Sequence, residues 1–404
     1  MNNSSFANKK TIEDINFLNK KVLMRVDYNV PIQDGKITST KRIDATINSI
    51  NKVINQGGKL ILFSHLGRIK SQEDLAKKSL RIVAEKLEQT LGKKVTFVPH
   101  TRGPEVEKAI ENMKNGEIIL LENTRFEDLN NKAESKNSEE LGKYWASLGD
   151  VFINEAFGTM HREHASNVGI ATHISESALG YLVLEELKAL SKVVESPESP
   201  FMAIVGGAKV SDKIGVLESL LQKADKVLIG GGMSYTFRKA LGFEIGQSIV
   251  EDDKLELARN LMDKYRDKIV LPIDVACSYE FEDTKPVYFH DNPLEIHKDA
   301  MGMDLGPLSI RLFERQLQGA KTVLWNGTLG VAEFSNFRTG TLSVAKIIAK
   351  LPNCYSVIGG GDSVAAVESQ GLQSFFSHIS TGGGASITFI EKADLVGLHP
   401  IQNK

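Results

Sequence analysis

Polar side chains suited to gripping anions recur in the first half of the chain wherever an apolar run ends. RVDYNVP, Arg25 to Pro31, places Asp27 and Asn29 two apart just past such a run. Both then point the same way and can hydrogen-bond sugar-like hydroxyls. HLGR, His65 to Arg68, uses Gly67 for a tight turn that lets His65 and Arg68 face one pocket. Arg125 follows Glu122-Asn123-Thr124, Arg162 lies in HREH between His161 and His164, and Arg42 opens an isoleucine stripe. Guanidinium forks match the geometry of phosphate and carboxylate. One such arginine is ordinarily solvated charge, and Asp27 with Asn29 alone would be a capped turn. Four arginines and two or three histidines, at strand or helix ends, point instead to a small polyanion. His161 and His164 also resemble a metal pair, but no cysteine or third ligand stands nearby, which argues against one.

The second half ends its apolar runs in glycine: Gly206-Gly207, Gly230-Gly231-Gly232, Gly327 and Gly359-Gly360-Gly361. Glycine there suits a ligand that needs close backbone approach, such as a nucleotide. In GGAKVSDKI, beginning at Gly206, Lys209 and Lys213 are four apart and share a face if a helix starts there, as phosphate-binding lysines would. This is not a Walker A loop, because GxxxxGK[ST] is absent. GGGDS, Gly359 to Ser363, puts backbone N–H groups and a carboxylate at a predicted helix N-terminus. The N–H groups suit phosphate, and Asp362 suits magnesium, which often takes one carboxylate plus phosphate oxygens. STGGGAS, Ser380 to Ser386, repeats the arrangement. VIGGGDSVAAV alone passes for part of a dinucleotide fingerprint, so an NAD- or flavin-dependent oxidoreductase is the competing enzyme class. It fails on position: such folds put the glycine loop in the first βα unit with an acidic residue about 20 positions on.

These side chains need elements to hold them. Short β-branched runs alternate with helical patterns: Val22 to Val26, Leu60 to Phe63, Val95 to Val98, Ile118 to Leu121 and Val151 to Ile153, then Met202 to Val205, Val227 to Ile229, Ile269 to Ile273, Thr322 to Trp325 and Ser356 to Ile358. Runs apolar on both faces suit buried parallel strands. Ile43, Ile47, Ile50 and Ile54 fall on one helical stripe, as do Leu141, Trp145 and Leu148, and Leu217, Leu220 and Leu221. The alternation predicts doubly wound α/β domains, whose ligands bind at the carboxyl ends of the strands. Glu176 to Ser191 reads as a connecting helix and Glu195 to Pro200 as a linker.

A length of 404 residues suits two such domains. With 41% hydrophobic and 25% charged residues the chain is expected to be globular, and a net charge of −2 argues against a general nucleic-acid binder. Two cysteines, Cys277 and Cys354, make neither a disulfide framework nor a zinc site. The start, Met1 to Lys10, is polar, and no stretch reaches the ~18 apolar residues of a membrane span. The expected location is the cytoplasm.

Taken together, RVDYNVP, HLGR, ENTRF, AFGTMHREH, GGAKVSDKI, GGGMSYTF, GMDLGP, WNGTLGVAE, GGGDS and STGGGAS make the chain resemble the phosphoglycerate kinases from about Val22 to Ile390. The resemblance implies two Rossmann-like doubly wound parallel-sheet domains joined by a helix, with a cleft between them. Residues 1–178 would bind 3-phosphoglycerate, 179–193 form the connecting helix, 194–390 bind nucleotide, and 391–404 return to the first domain. Carried over residue by residue, Asp27 and Asn29 would hold the glycerate hydroxyl and its neighbouring oxygens, and His65, Arg68, Arg125 and Arg162 its phosphate and carboxyl ends. Arg42, Lys213, Gly360 and Gly383 would serve the transferring phosphoryl. Lys209 and Lys213 would meet the nucleotide phosphates, with Asn326, Gly359, Gly360, Gly361 and Ser363 around them and Asp362 on magnesium. Gly207, Ala208 and Gly230 would line the adenine slot, and Glu333 would reach the ribose. The implied reaction is reversible, Mg²⁺-dependent in-line transfer between 1,3-bisphosphoglycerate and ADP, giving 3-phosphoglycerate and ATP, in a monomer that closes about a hinge. The implied partners are small molecules alone, neither nucleic acid nor membrane. Thr328 and Ala332 stand where the family usually has proline and phenylalanine, which implies looser nucleotide binding. Glu155 replaces a usual aspartate, and Ile69 a usual proline. A non-catalytic relative would lack Arg42, Lys213 or Asp362; all three are present.

Overall fold

The computed structural model describes residues 6–289 and 291–404, so Met1 to Ser5 of the polar start lie outside the described residues. The chain forms two compact units, one of Met1–Lys188 with Asp394–Lys404 and one of Ala189–Ala393. Among the described residues, no helix is long and apolar enough to cross a membrane.

The first unit is built on six strands: β1 (Lys21–Arg25), β2 (Lys59–Phe63), β3 (Val95–Val98), β4 (Ile118–Leu121), β5 (Val151–Asn154) and β6 (Ser177–Leu179). All pair in parallel, in the order β3-β4-β2-β1-β5-β6. β1 is buried from Val22 to Arg25 and β4 throughout, as expected of apolar runs covered by helices on both faces. The strand order reverses beside β1, where an open sheet leaves a crevice at its carboxyl edge. β6 overturns part of the reading above. The expected helix Glu176 to Ser191 begins only at Tyr181, as α2 (Tyr181–Val194), because Ser177–Leu179 is fully buried as a strand against β5. The isoleucine stripe is also split, into a single turn at Lys41–Asp44 and α1 (Ile47–Asn55). Thr46 causes the break: its buried hydroxyl bonds the Ile43 carbonyl at 2.8 Å and the Tyr28 hydroxyl at 2.8 Å, competing with the helical ladder.

The second unit repeats the plan with β7 (Phe201–Val205), β8 (Lys226–Ile229), β9 (Ile269–Val270), β10 (Thr322–Asn326), β11 (Tyr355–Gly359) and β12 (His378–Ile379). The order is β9-β8-β7-β10-β11-β12, again all parallel. The reversal falls between β7 and β10. β9 stops at Val270, short of the expected Ile273, ahead of Pro272, which has no N–H for a ladder. An antiparallel pair, Val275–Ser278 with Met301–Leu305, was not legible from periodicity, since Gly302 and Asp304 interrupt its second run. The shared helix face expected for Lys209 and Lys213 does not form either, because α3 (Ile214–Lys223) starts after both. Instead Glu251 holds the loop ahead of it, accepting from the N–H groups of Val210 at 2.6 Å and Ser211 at 3.1 Å and from the Ser211 hydroxyl.

The carboxyl-terminal segment is bonded back into the first unit. Lys10 N–H donates to the Gln402 carbonyl, Lys404 N–H to Asn8 and Gly397 N–H to Met160, each at 2.8 Å.

At the reversal of the second sheet, backbones meet so closely that glycine is obligatory. Gly206 N–H donates to the Asn326 carbonyl at 2.9 Å and Gly207 N–H to the Thr328 carbonyl at 3.0 Å. A Cβ on Gly206 would collide with the Thr328 carbonyl oxygen. Gly206→Ala is therefore expected to lower stability by ~2–4 kcal/mol, the range of severe overpacking, measured by denaturant titration. A change within ~0.5 kcal/mol would contradict this packing.

Candidate active site

The anion-gripping residues of the first unit gather at the carboxyl ends of its strands. Asp27, only 9% exposed, follows β1 and pairs with Arg42. Asn29 accepts from the Gly67 N–H at 2.8 Å, tying the RVDYNVP and HLGR loops together. Arg125 donates to the Gly67 carbonyl at 2.6 Å from the other side, and its buried Nε has no partner. Arg162 is aligned by a 3.1 Å bond from its Nε to the His161 ring. Arg68 follows the HLGR turn and is exposed.

Behind this layer lies a network to which sequence reasoning assigned no role. Arg25 is fully buried, donating to Ser166 Oγ at 2.7 Å and to the Val26 carbonyl, with Glu134 3.9 Å away. Glu134, itself fully buried, accepts from the Ser166 N–H at 2.8 Å and from the Ser166 hydroxyl. Asn123 clamps the two anion loops: its Nδ2 donates to the carbonyls of Leu66 at 2.8 Å and Lys78 at 2.9 Å, while its Oδ1 accepts from the N–H groups of Leu66 and Arg125 at 3.1 Å. Arg25 and Asn123 carry no more sequence signal than a charge or amide near an apolar run, which many surface residues share, and Glu134 lies in a polar stretch with none.

The network sets protonation. Arg25 approaches His65 Nδ1 at 3.1 Å, and since a guanidinium can only donate, Nδ1 accepts and the ring proton sits on Nε2. Burial, with Arg25 and Arg125 adding repulsion, holds His65 well below its ordinary range. The Asp27 carboxylate 3.8 Å from His65 Nδ1 is thus no ion-pair partner. His164 is pushed down to about 3, again by burial and then by the arginines. Burial and the mutual repulsion of Arg25, Arg125 and Arg162 also depress Arg125. Positive charge is concentrated beyond what the local carboxylates neutralise, which favours an incoming anion.

The second unit holds a cavity of about 500 Å³ at its glycine-lined strand ends. Of the residues expected there, Gly207, Ala208, Glu333 and Asp362 form its wall, together with Thr328, which was expected to affect nucleotide binding; the exposed Phe281 also lines it and was missed by sequence reasoning. Gly230 stands behind the wall, buried against Leu329, and Gly231 and Gly232 line the cavity instead. Ala332 is not on the wall, but Phe281 is backed by Phe334, ring centroids 5.1 Å apart. Asp304 buttresses Gly330 from below and accepts from the Gly340 N–H at 2.7 Å; burial pushes it up to about 7.

Beside the cavity, α4 (Gly361–Ser369) follows β11 through Gly360, at φ +90°. Asp362 stands in its first turn and is exposed. Lys213 donates to Asn326 Oδ1, and burial lowers its affinity for the proton. Lys209 is exposed on the preceding loop. Asn326 Nδ2 and Ser363 Oγ are buried with no partner. A Cβ on Gly360 would lie 3.7 Å from the unpartnered Ser363 Oγ and 3.9 Å from the Asn326 Oδ1 that Lys213 engages, so the two side chains with unpartnered atoms border one glycine turn. Packing accounts for Gly206 and Gly231 but not for Gly361 or Gly383, whose added Cβ would meet nothing within 4 Å. A Cβ on Gly359 would press on Asn326 Nδ2 at 3.3 Å, a tight contact that the side chain would have to yield to. Gly383, at φ +51°, caps α5 (Gly384–Lys392) after β12. Open N–H groups at two helix starts and a cationic Lys213 together suit phosphates. Among the described residues, no group of three or more metal-ligating side chains forms, so His161 and His164 gain no third ligand.

A family model described as phosphoglycerate kinase matches residues 12–393. The chain is 66% identical over 400 residues to the phosphoglycerate kinase of Mesomycoplasma hyopneumoniae (strain 232), covering 99% of each. It is 56% identical over 397 residues to that of Enterococcus faecalis (strain ATCC 700802 / V583), covering 98% of this chain and 100% of the relative. Among solved structures it is similar to phosphoglycerate kinase from Coxiella burnetii, with a TM-score of 0.86 and 35% identity over 97% of this chain and 98% of that one. The Pyrococcus horikoshii OT3 phosphoglycerate kinase matches with a TM-score of 0.83 and 32% identity over the same shares.

Because His65 and His164 are held neutral, their lowered pKa values contribute stability above the unfolded value of ~6.5 that is lost as pH falls below it. Their ring C2 proton resonances should stay fixed from pH ~8 to pH ~5.5; movement with a midpoint near ~6.5 would contradict this network.

Proposed function

Because the chain belongs to the phosphoglycerate kinase family, we propose that it catalyses reversible, Mg²⁺-dependent phosphoryl transfer between 1,3-bisphosphoglycerate and ADP, giving 3-phosphoglycerate and ATP. The observation that carries this reading is the pairing, in one chain, of an arginine cluster at the reversal of one parallel sheet with a glycine-lined cavity at the reversal of the other.

In the ATP-consuming direction the nucleophile is a carboxylate, ionised at neutral pH because such groups titrate near ~4. No general base is needed. What the reaction demands is alignment of two anions and neutralisation of the moving phosphoryl. Residues 1–178 would hold the glycerate through Asp27, Asn29, His65, Arg68, Arg125 and Arg162. The neutral His65 fits as a donor through Nε2–H that adds no competing charge. Residues 194–390 would hold the nucleotide, with adenosine in the cavity and phosphates against Lys209, Lys213 and the starts of α4 and α5. Asn326 and Ser363 have buried atoms that lack partners, as expected of groups reserved for a ligand.

Asp362, exposed on the cavity wall, would hold Mg²⁺ together with nucleotide phosphate oxygens, the mixed set this ion accepts. When bound, the ion neutralises phosphate charge and fixes phosphate orientation. Arg42 and Lys213, with N–H groups at Gly360 and Gly383, would meet the transferring group. Because each substrate belongs to a different unit, closure about α2 would be required, and it would also exclude water. Thr328 on the cavity wall lacks the preset loop of a proline, which favours looser nucleotide binding than in relatives with proline there. A monomer in the cytoplasm, with small molecules as its partners, completes the reading.

Purified protein supplied with ATP, 3-phosphoglycerate and Mg²⁺ should form ADP in a coupled assay and stop when the metal is chelated. Background rates with all three present would overturn the assignment. Arg42→Ala should lower kcat by ~100-fold or more while glycerate KM changes far less, since the guanidinium would meet its full partner charge only in the transition state. An unchanged kcat with a raised KM would make Arg42 a ground-state anion ligand instead.

A further inference from the structure

Glu155 is fully buried at the end of β5, and its role is not explained by substrate contact. Its N–H donates to the Arg25 carbonyl at 2.9 Å, which binds it to the end of β1. Its Oε1 accepts from the Ser49 hydroxyl on α1 and from the Leu182 N–H at 3.1 Å in the first turn of α2; the Val183 N–H is a further donor. Ser49 Oγ in turn accepts from the Tyr181 N–H at 3.1 Å. The opening N–H groups of α2, which have no partners within the helix, are thus satisfied from two other elements. Gly180, just ahead of α2, has room for no side chain, because a Cβ there would collide with the Glu155 carboxylate. The remaining oxygen, Oε2, is buried without a partner.

This one carboxylate joins three parts of the molecule. β5 leads into the loop that presents Arg162, α1 follows the turn that carries Arg42, and α2 carries the chain from one unit into the other. We propose that Glu155 is a positioning residue for phosphoryl transfer, its carboxylate fixing the first turn of α2 against β5 and α1 so that movement of the helix is transmitted to Arg42 and Arg162. The inference rests on the transfer reaction proposed above. A negative cap at a helix start is stabilising, so the ionised form makes the stronger link. Burial, with repulsion from Glu185 on α2, pushes Glu155 up to about 7, against the donors Ser49, Leu182 and Val183. The other titratable group facing it is the buried Tyr28 phenol, raised by burial and by the Glu155 charge and therefore neutral throughout. Protonation of Glu155 as pH falls through about 7 weakens the cap.

The test is steady-state kinetics against pH for wild type, Glu155→Gln and Ser49→Ala. Wild-type kcat should drop as pH falls through about 7. Glu155→Gln should have kcat about fivefold lower at pH ~8, the scale of a lost cap, with both KM values within about twofold and no kcat step near neutrality. Ser49→Ala removes a donor to the carboxylate, so its step should move to higher pH. A Glu155→Gln enzyme with wild-type kcat and an unaltered step would overturn the proposal. Should that variant fail to fold, an unshifted step in Ser49→Ala would overturn it equally. A wild type with no turnover at any pH would refute the transfer reaction itself, which separates the two failures.

Discussion

The first unit depends on a single guanidinium sealed from solvent. Arg25 ends β1 with its side chain enclosed, so every N–H must find a partner inside the protein. Ser166 Oγ, the Val26 carbonyl and His65 Nδ1 accept from it, and Glu134 balances its charge from 3.9 Å. Apart from the adjacent Val26, these partners come from the HLGR turn, the segment after the β4 loop and the turn that follows Arg162. Satisfying one buried cation therefore locks the loops that carry the anion site. A buried ion pair of this kind is seldom a net source of stability relative to an apolar substitute, but removing one partner strands the other. Its contribution is geometric: it selects the His65 tautomer and holds the loops where Arg42, Arg68, Arg125 and Arg162 converge.

The second unit solves a related problem with backbone instead of charge. Its glycines divide into two populations. Gly206 and Gly231 are required because strand ends press carbonyl oxygens against them, whereas Gly361 and Gly383 face open space. The first population lets the ends of β7, β8 and β10 close to hydrogen-bonding distance. The second leaves N–H groups uncovered at helix starts. A sequence scan sees the same residue in both cases.

That distinction explains what could be read in advance. Strand positions and the parallel α/β class were legible because apolar runs such as Leu60 to Phe63 and Ile118 to Leu121 alternate with helical stripes. The strand-end positions of Asp27, His65 and Asp362 were legible because each follows an apolar run, where open parallel sheets offer room for a ligand. Boundaries set by tertiary contact were not: Thr46 breaks an apolar stripe through a hydroxyl that competes for a carbonyl, and Ser177–Leu179 leaves the helix pattern to pair with β5. The groups behind the anion site escaped notice for a similar reason. Nothing about Asn123 or Glu134 in the linear order says that either is buried, and burial is what turns an ordinary polar residue into an organiser.

The return of Asp394–Lys404 to the first unit has a consequence for how the molecule is made. Topologically, the second unit is an insertion into the first, spliced in between Lys188 and Asp394. During synthesis the inserted unit has all its residues while the host still lacks its last segment, so the part begun first is completed last. The partners of that segment, the backbones of Asn8 and Lys10, must wait until the inserted unit and the residues after it have left the ribosome. Early emergence therefore does not give the host unit a head start to its finished state, and removing Asp394–Lys404 would uncover the backbones of Asn8 and Lys10.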